Sequence, residues 1–122
     1  MSRTEMPLVV ANHTGTTYTF TTGDWGAIHT DTGGAGNIAY TLPAATTVPA
    51  GTYLHVFSVP AGTVSVTCTN AIIADNDAAA SSVTWSTAGE IIGWGGRFMS
   101  TGTLWMYTPF IPSIAATQTI GA

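Results

Sequence analysis

Apolar and polar residues alternate with a period of two along most of this chain, in short runs that turn residues separate. Ile38, Tyr40 and Leu42 share one face of such a run, and residues 52–59 form the strongest one. This alternation is typical of β-strands, because successive side chains point to opposite faces of a sheet. No stretch has the period of an amphipathic helix of useful length. The predicted strands are residues 16–22, 27–30, 37–42, 52–59, 63–69, 82–86, 90–94, 97–100 and 103–108.

Turn residues fall between these strands about every ten residues, a spacing typical of β-sandwiches and barrels. Pro43 ends the strand at residues 37–42, because proline cannot donate a ladder hydrogen bond. The turn at residues 60–62 predicts a β-hairpin between the strands on either side of it. We therefore predict an all-β, single-domain fold of short antiparallel strands, either a β-sandwich or β-barrel-like.

The 122 residues suit one domain, and we expect three segments along it. Residues 1–12 are expected to form an extended N-terminal arm, residues 13–108 the β-domain and residues 109–122 a C-terminal tail. The arm lacks the long apolar stretch of a signal peptide, so none is expected. Within the β-domain, the three alanines at residues 78–80 could start one turn of helix, although nothing after them sustains it, and the glycine pair at residues 95–96 separates two predicted strands.

The composition narrows the classes of partner. Charged residues make up 7% of the chain, against roughly 25% in ordinary soluble domains. Arg3 and Arg97 are the whole basic complement, which is too little for a nucleic-acid-binding face. No run approaches the ~18 apolar residues of a membrane-spanning helix, so no membrane partner is expected. A neutral, hydroxyl-rich surface of this kind is expected to be covered by other protein subunits.

Residues with reactive side chains are few and scattered. Cys68 has no second cysteine to pair with, and its alternating surroundings predict a small, packed side chain. His13, His29 and His55 lack the spacing of a metal site. No serine stands in a nucleophile-elbow motif. We therefore expect no catalytic residues, no metal and no cofactor.

Aromatic residues crowd the last third of the sequence. Trp85 and Trp105 are expected in the core. Trp94 has a glycine on each side and Phe110 is close to two prolines, so both are expected on irregular or exposed backbone, where aromatic side chains favour protein interfaces. The candidate partner-interface residues are Met6, Leu8, Val9, Val10, Trp94, Phe98, Phe110 and Ile111.

Several segments between residues 37 and 108 resemble a module common in structural proteins of tailed bacteriophages. The module occurs in capsid decoration proteins, head fibres and tail fibres, and the resemblance implies a β-sandwich-like or trimeric β-fold in a virion. The aromatic stretch at residues 94–110 and the long tail depart from its pattern. The matching segments are residues 40–46 (YTLPAAT), 49–53 (PAGTY), 62–67 (GTVSVT), 71–74 (AIIA) and 87–92 (TAGEII), followed by Trp105 in the last strand.

On this resemblance we expect a non-catalytic phage capsid decoration (cement) protein. It would be made in the host cytoplasm, bind the major capsid protein as a homotrimer on the outer capsid surface, and stabilise the shell. The chain has no shaft repeats or coiled coil, which suits decoration better than a fibre. The alternative is a tail-fibre or receptor-binding tip that recognises host surface glycans, and a glycan hydrolase is the third hypothesis.

The arm is the expected point of strand addition to a neighbouring subunit. Deleting residues 1–10 is predicted to weaken capsid binding while the β-domain stays folded. The reason is that an arm of this kind makes its contacts with the neighbouring subunit and not with its own β-domain. Occupancy on purified capsids and a thermal melt of the free protein test the two parts of this prediction. Unchanged occupancy would contradict it.

Overall fold

The computed structural model describes residues 9–30, 37–58, 63–74, 77–85, 94–110 and 118–121. Short 3-10 turns occupy Thr22–Asp24 and Ala45–Thr47, and the remaining regular structure is strand. The predicted all-β class is therefore confirmed. The strands are β1 (Val10–Asn12), β2 (Thr17–Thr19), β3 (Ile28–Thr30), β4 (Ile38–Thr41), β5 (Tyr53–Ser58), β6 (Val64–Ala74), β7 (Asp77–Trp85), β8 (Trp94–Ser100), β9 (Trp105–Phe110) and β10 (Gln118–Gly121).

The first half of the chain winds as three coils rather than as hairpins. Strands β1, β3 and β5 pair in parallel, and so do β2, β4 and β6. Val10 lies opposite Ile28, which in turn lies opposite His55. Each strand therefore pairs with the strand two places along the chain. The intervening strand, in the opposite sheet, serves as the crossover that parallel pairing requires.

The second half extends both sheets with antiparallel strands. β8 and β9 follow β5 in the first sheet, which consists of β1, β3, β5, β8 and β9. β7 and β10 follow β6 in the second sheet, which consists of β2, β4, β6, β7 and β10. The prediction of antiparallel strands is therefore wrong for the coils and for the parallel pairing of β6 with β9, and right for the other pairings of this half.

Strand β6 joins the two sheets into one hydrogen-bonded network. Its first part, from Val64 to Thr67, pairs with β4, whereas Ile72 and Ile73 pair with β9. Between these parts the register with β7 shifts, and Asn70 has a φ of 52°. A bulge bends and twists a strand, and here it accompanies the passage of β6 from one sheet to the other.

Two local predictions are corrected by this topology. The strands at residues 52–59 and 63–69 do not form a hairpin, because β5 pairs with β3 and β8, whereas β6 pairs with β4, β7 and β9. The alanines at residues 78–80 belong to β7, not to a helical turn, and Ala80 is buried against β6. Strand β1 lies within the segment predicted as the arm and pairs with β3, and β10 lies within the predicted tail and pairs with β7.

One hydrophobic core lies between the two sheets. Trp85 and Trp105 are both fully buried in it, as predicted. The indole N–H of Trp105 donates a hydrogen bond to the Pro43 carbonyl oxygen over 2.8 Å, so its polar edge is satisfied. Burying each large apolar side chain contributes about 1.5–3 kcal/mol. The core consists of Phe20, Ile38, Tyr40, Leu42, Ala45, Leu54, Val56, Val64, Val66, Cys68, Ile72, Ala74, Ala80, Val83, Trp85, Phe98, Trp105 and Tyr107.

The paired glycines of β8 lie inside a strand, where the sequence predicted a break. A Cβ atom on Gly95 would lie 2.8 Å from the Cα and 2.9 Å from the Cδ1 of Phe57. A Cβ on Gly96 would lie 2.6 Å from the carbonyl oxygen of Thr108 and 3.1 Å from the Cζ of Tyr107. Both faces of the strand are filled by side chains of its neighbours, so glycine is required for close packing and does not end the strand.

Substituting either of these glycines by alanine is predicted to destabilise the fold. Gly96→Ala must displace Tyr107 or the β9 backbone, and overpacking of this kind costs about 1–3 kcal/mol. Gly23→Ala is the control, because a Cβ there meets nothing within 4 Å. Urea denaturation of the parent protein, Gly96→Ala and Gly23→Ala measures the differences in the free energy of unfolding. Equal stability of Gly96→Ala and Gly23→Ala would contradict the packing described.

Candidate functional site

The outer side of the first sheet is aromatic and apolar. Side chains that lie opposite one another on neighbouring strands share a face. Across this sheet, His55 lies opposite Arg97, and Arg97 lies opposite Thr108. The rows beside it carry Tyr53 with Met106, and Phe57 with Phe110. We call this surface the aromatic face and define it as Val10, Ile28, Tyr53, His55, Phe57, Arg97, Met99, Met106, Thr108 and Phe110.

Three rings stack at one end of the aromatic face. The ring centroids of Phe57 and Phe110 are 5.9 Å apart, and those of His55 and Phe110 are also 5.9 Å apart. Tyr53 packs edge-on against His55 at 5.6 Å. The missing side chain at Gly95, between Phe57 and Phe110 in the register, leaves the space in which these two rings meet. The stack is therefore held in place by the strands beneath it.

The exposed apolar side chains concentrate on this surface. In the described part of the chain, the large hydrophobic residues that are exposed are Val9 (67%), Val10 (55%), Met106 (39%), Phe110 (38%) and Tyr53 (37%). Four of them belong to the aromatic face, and Val9 directly precedes β1. These exposed apolar side chains therefore share one outer surface in the described part of the chain. A concentration of exposed apolar side chains on one surface marks an interaction site more often than scattered residues do.

The outer side of the second sheet has the opposite character. Its outward residues pair across the strands as threonines and serines, for example Thr41 with Thr67 and Ser65 with Thr84. We call it the hydroxyl face and define it as Thr17, Thr19, Ala39, Thr41, Ser65, Thr67, Ser82 and Thr84. A groove of about 310 Å³ lies at the N-terminal ends of β2, β4 and β6, and no charged residue lines it. The lining residues are Thr16, Asn37, Ile38, Ala39, Thr63 and Ser65.

A second group of polar side chains lies between the first two coils. The carboxylate of Asp24 accepts hydrogen bonds from the Tyr18 hydroxyl at 2.9 Å and from the Thr21 backbone N–H at 2.7 Å. His29 is fully buried, and its Nε2 lies 3.0 Å from the carbonyl oxygen of Asp24. The Nε2 of His13 lies 2.9 Å from the Nδ1 of His29. Residues far apart in the sequence thus form one network.

The hydrogen bonds of this network determine the tautomers of the two histidines. A carbonyl oxygen can only accept a hydrogen bond, so Nε2 of His29 carries the hydrogen and donates a hydrogen bond to the backbone carbonyl oxygen of Asp24. The other nitrogen of a neutral His29, Nδ1, then accepts from the Nε2–H of His13. Burial lowers the pKa of His13, and His29 lowers it further, while Asp24 acts in the opposite direction. The folded structure therefore favours the neutral form of His13.

The structure separates the predicted interface residues into three groups. Val10 and Phe110 belong to the aromatic face, and Val9 is exposed beside it. Phe98 is corrected, because its side chain is fully buried and stacks on Tyr107 at 4.9 Å. It lies in the core because it occupies the inward position between two outward residues of β8. The remaining candidates, Met6, Leu8, Ile111 and the side chain of Trp94, lie outside the described residues.

Most residues of the aromatic face were not among the predicted interface residues. Tyr53, His55 and Phe57 alternate with buried residues on β5, and this spacing was the signal that could have identified them. Arg97 and Met106 had no comparable signal, because only the pairing of β8 with β5 and β9 brings them to the same surface.

In the described residues, no group of three or more His, Cys, Asp or Glu side chains is arranged to hold a metal ion. Burial raises the pKa of the Cys68 thiol.

Comparison with known proteins identifies no relative. No family model, curated protein or solved structure matches this chain. Among the described residues there is no helix with the length and apolar character to cross a membrane.

The histidine network predicts that stability falls at mildly acidic pH. The pKa of His13 is below its ordinary value of 6.5 in the folded protein, and burial and Arg97 lower the pKa of His55 in the same way. The unfolded chain therefore binds more protons below about pH 6.5, and the free energy of unfolding decreases there, whereas it is level above about pH 7. Thermal melts above about pH 7 and at several pH values below about pH 6.5 measure the difference.

His13→Gln is the matched variant for this prediction. Glutamine can donate an amide N–H towards His29 but does not titrate, so the loss of stability at low pH becomes smaller. The remainder is assigned to His55 and is removed in the His13→Gln/His55→Gln double variant. The same pH dependence in the parent protein and the double variant would contradict the assignment.

Proposed function

We propose that this chain is a non-catalytic structural protein that binds another protein subunit through the aromatic face. The supporting observation is the difference between its two outer faces. One is built from aromatic residues, methionines and one arginine, and the other from threonine and serine. An apolar outer face loses its contact with water when a partner covers it, whereas a hydroxyl face remains well solvated.

The composition of the aromatic face supports a protein partner. Interface centres are enriched in aromatic residues, methionine and arginine, and depleted in lysine and acidic residues. The aromatic face has this composition in its described part, with Arg97 in the central row and Tyr53, Met106 and Phe57 in the rows on either side. Burying apolar surface contributes about 25 cal/mol per Å². Many copies that each make such a contact therefore stabilise a shell by binding alone.

The same composition weighs against the glycan alternative. Small-ligand sites orient the ligand through precisely placed, accessible polar groups. On the aromatic face the polar side chains are Thr108, His55 and Arg97, and the Nδ1 of His55 and the Nε of Arg97 are buried, which leaves few polar atoms to orient a hydroxylated ring. A flat partner with apolar side chains of its own suits this surface better than a hydroxylated ring does.

We propose further that the partner is the major capsid protein of a tailed phage, and that the chain decorates the outer capsid surface as a trimer. The resemblance of residues 37–108 to phage structural modules supports this identification. The aromatic face would then lie against the shell and the hydroxyl face would be directed to solvent. This orientation leaves a neutral, hydrated surface on the outside of the particle.

Substitutions on the two faces test the proposal. Met106→Gln/Phe110→Gln places polar side chains at two exposed positions of the aromatic face. It is predicted to weaken binding at least about tenfold, because interface hot spots contribute more than about 1 kcal/mol each. The assay is co-sedimentation with shells of the same virus prepared without this chain.

The matched control is Thr19→Gln/Thr41→Gln, which introduces the same side chain at two exposed strand positions of the hydroxyl face. It is predicted to bind as the parent does. Equal weakening by both pairs, or by neither, would refute docking through the aromatic face. If binding to shells is absent but glycan arrays show saccharide binding that Phe110→Gln removes, the receptor-binding alternative replaces decoration.

A further inference from the structure

We infer that the protein partner presents a carboxylate side chain to Arg97, in the middle of an otherwise apolar contact. This inference rests on the proposed docking through the aromatic face and specifies the chemistry of the partner. It starts from the position of one cation. Arg97 is one of two basic residues in the chain, and the pairing of β8 with β5 and β9 places it at the centre of the aromatic face.

The guanidinium of Arg97 has no anionic partner within the described part of the protein. Of the two described acidic residues, Asp24 is engaged with Tyr18 and Thr21, and Asp77 accepts a hydrogen bond from the Ala79 backbone N–H at 2.9 Å. Neither belongs to the strands of the first sheet. The residues directly opposite Arg97 are His55 and Thr108, which supply no negative charge.

Arg97 is already partly removed from water in the free protein. Its Nε is buried and has no hydrogen-bond partner among the described residues, and the same is true of the Nδ1 of its neighbour His55. Burial and the charge of Arg97 both lower the pKa of His55, which favours the neutral form of the imidazole beside Arg97. A cation in such surroundings attracts an anion more strongly than one in open solvent does, because less water screens it.

These observations favour an acidic protein surface over a second copy of the chain. Two aromatic faces packed on each other would bring Arg97 of both copies into an apolar contact with no described acid to neutralise them. A partner carboxylate instead forms a charge-assisted, bidentate pair with the guanidinium. The apolar rows around it exclude water from the pair. The face thus selects a partner with an apolar patch and one central Asp or Glu.

The test compares Arg97→Gln with Arg97→Lys in the shell co-sedimentation assay between about 0.05 and 0.5 M NaCl. Arg97→Gln is predicted to lower the affinity at least about tenfold and to flatten its dependence on salt, because truncating one partner of a buried charge pair leaves the other unpaired. Arg97→Lys keeps the charge but not the bidentate geometry, so it retains the salt dependence with an intermediate affinity. A thermal melt of each free variant provides the control for folding.

The outcomes separate this inference from the proposed function. If Met106→Gln/Phe110→Gln loses binding while Arg97→Gln binds shells with the parent's affinity and salt dependence, the carboxylate is wrong and the docking face stands. If neither variant changes shell binding, the docking face itself is wrong. If Met106→Gln/Phe110→Gln instead converts an oligomer of the free protein into monomers, a second copy occupies the face and the inference is overturned. Should Arg97→Gln not fold, a salt-independent affinity of the parent and Arg97→Lys would overturn it equally.

Discussion

Each strand in the first half of this protein hydrogen-bonds to a strand of the next or the previous coil, and the rest of the structure depends on that pairing. Val10, Ile28 and His55 come from three separate coils yet lie in one row of the first sheet. The inward residues of these strands meet those of the second sheet and form one core. A side chain that changes the register of one coil therefore changes both the core and the outer surfaces, because the side-chain period of a strand is two.

This arrangement concentrates different chemistry on three surfaces. The interior receives the large apolar side chains and, between the first two coils, the hydrogen-bonded network of Asp24, His13 and His29. The outer side of the second sheet carries hydroxyl groups. The outer side of the first sheet carries rings, methionines and Arg97. The two outer surfaces differ although both are built from strands with the same alternation, since the partner strand decides what stands beside each residue.

The glycine pair of β8 connects the fold to the proposed interface. Gly95 lies in register between Phe57 and Phe110, and the absence of a side chain there allows the two rings to meet at 5.9 Å. Gly96 brings the strand close to Tyr107 on the core side. One strand thus serves the packing of the core and the shape of the aromatic face. The same strand carries Arg97, so its charge is held at a defined position among rigid neighbours.

The alternation of apolar and polar residues predicted the all-β class, most strand positions and the burial of Trp85 and Trp105, because it reports whether a residue faces a core. It does not show which strands pair. The coils have unequal lengths, so no repeat in the sequence reveals the parallel register, and the hairpin expected at residues 60–62 was wrong. Only the tertiary structure brought His13 to His29, placed Phe98 inside, and assembled Tyr53, Arg97 and Met106 into one face. Strand pairing depends on the packing of strands that are distant in the sequence, and the local alternation of apolar and polar residues does not specify it.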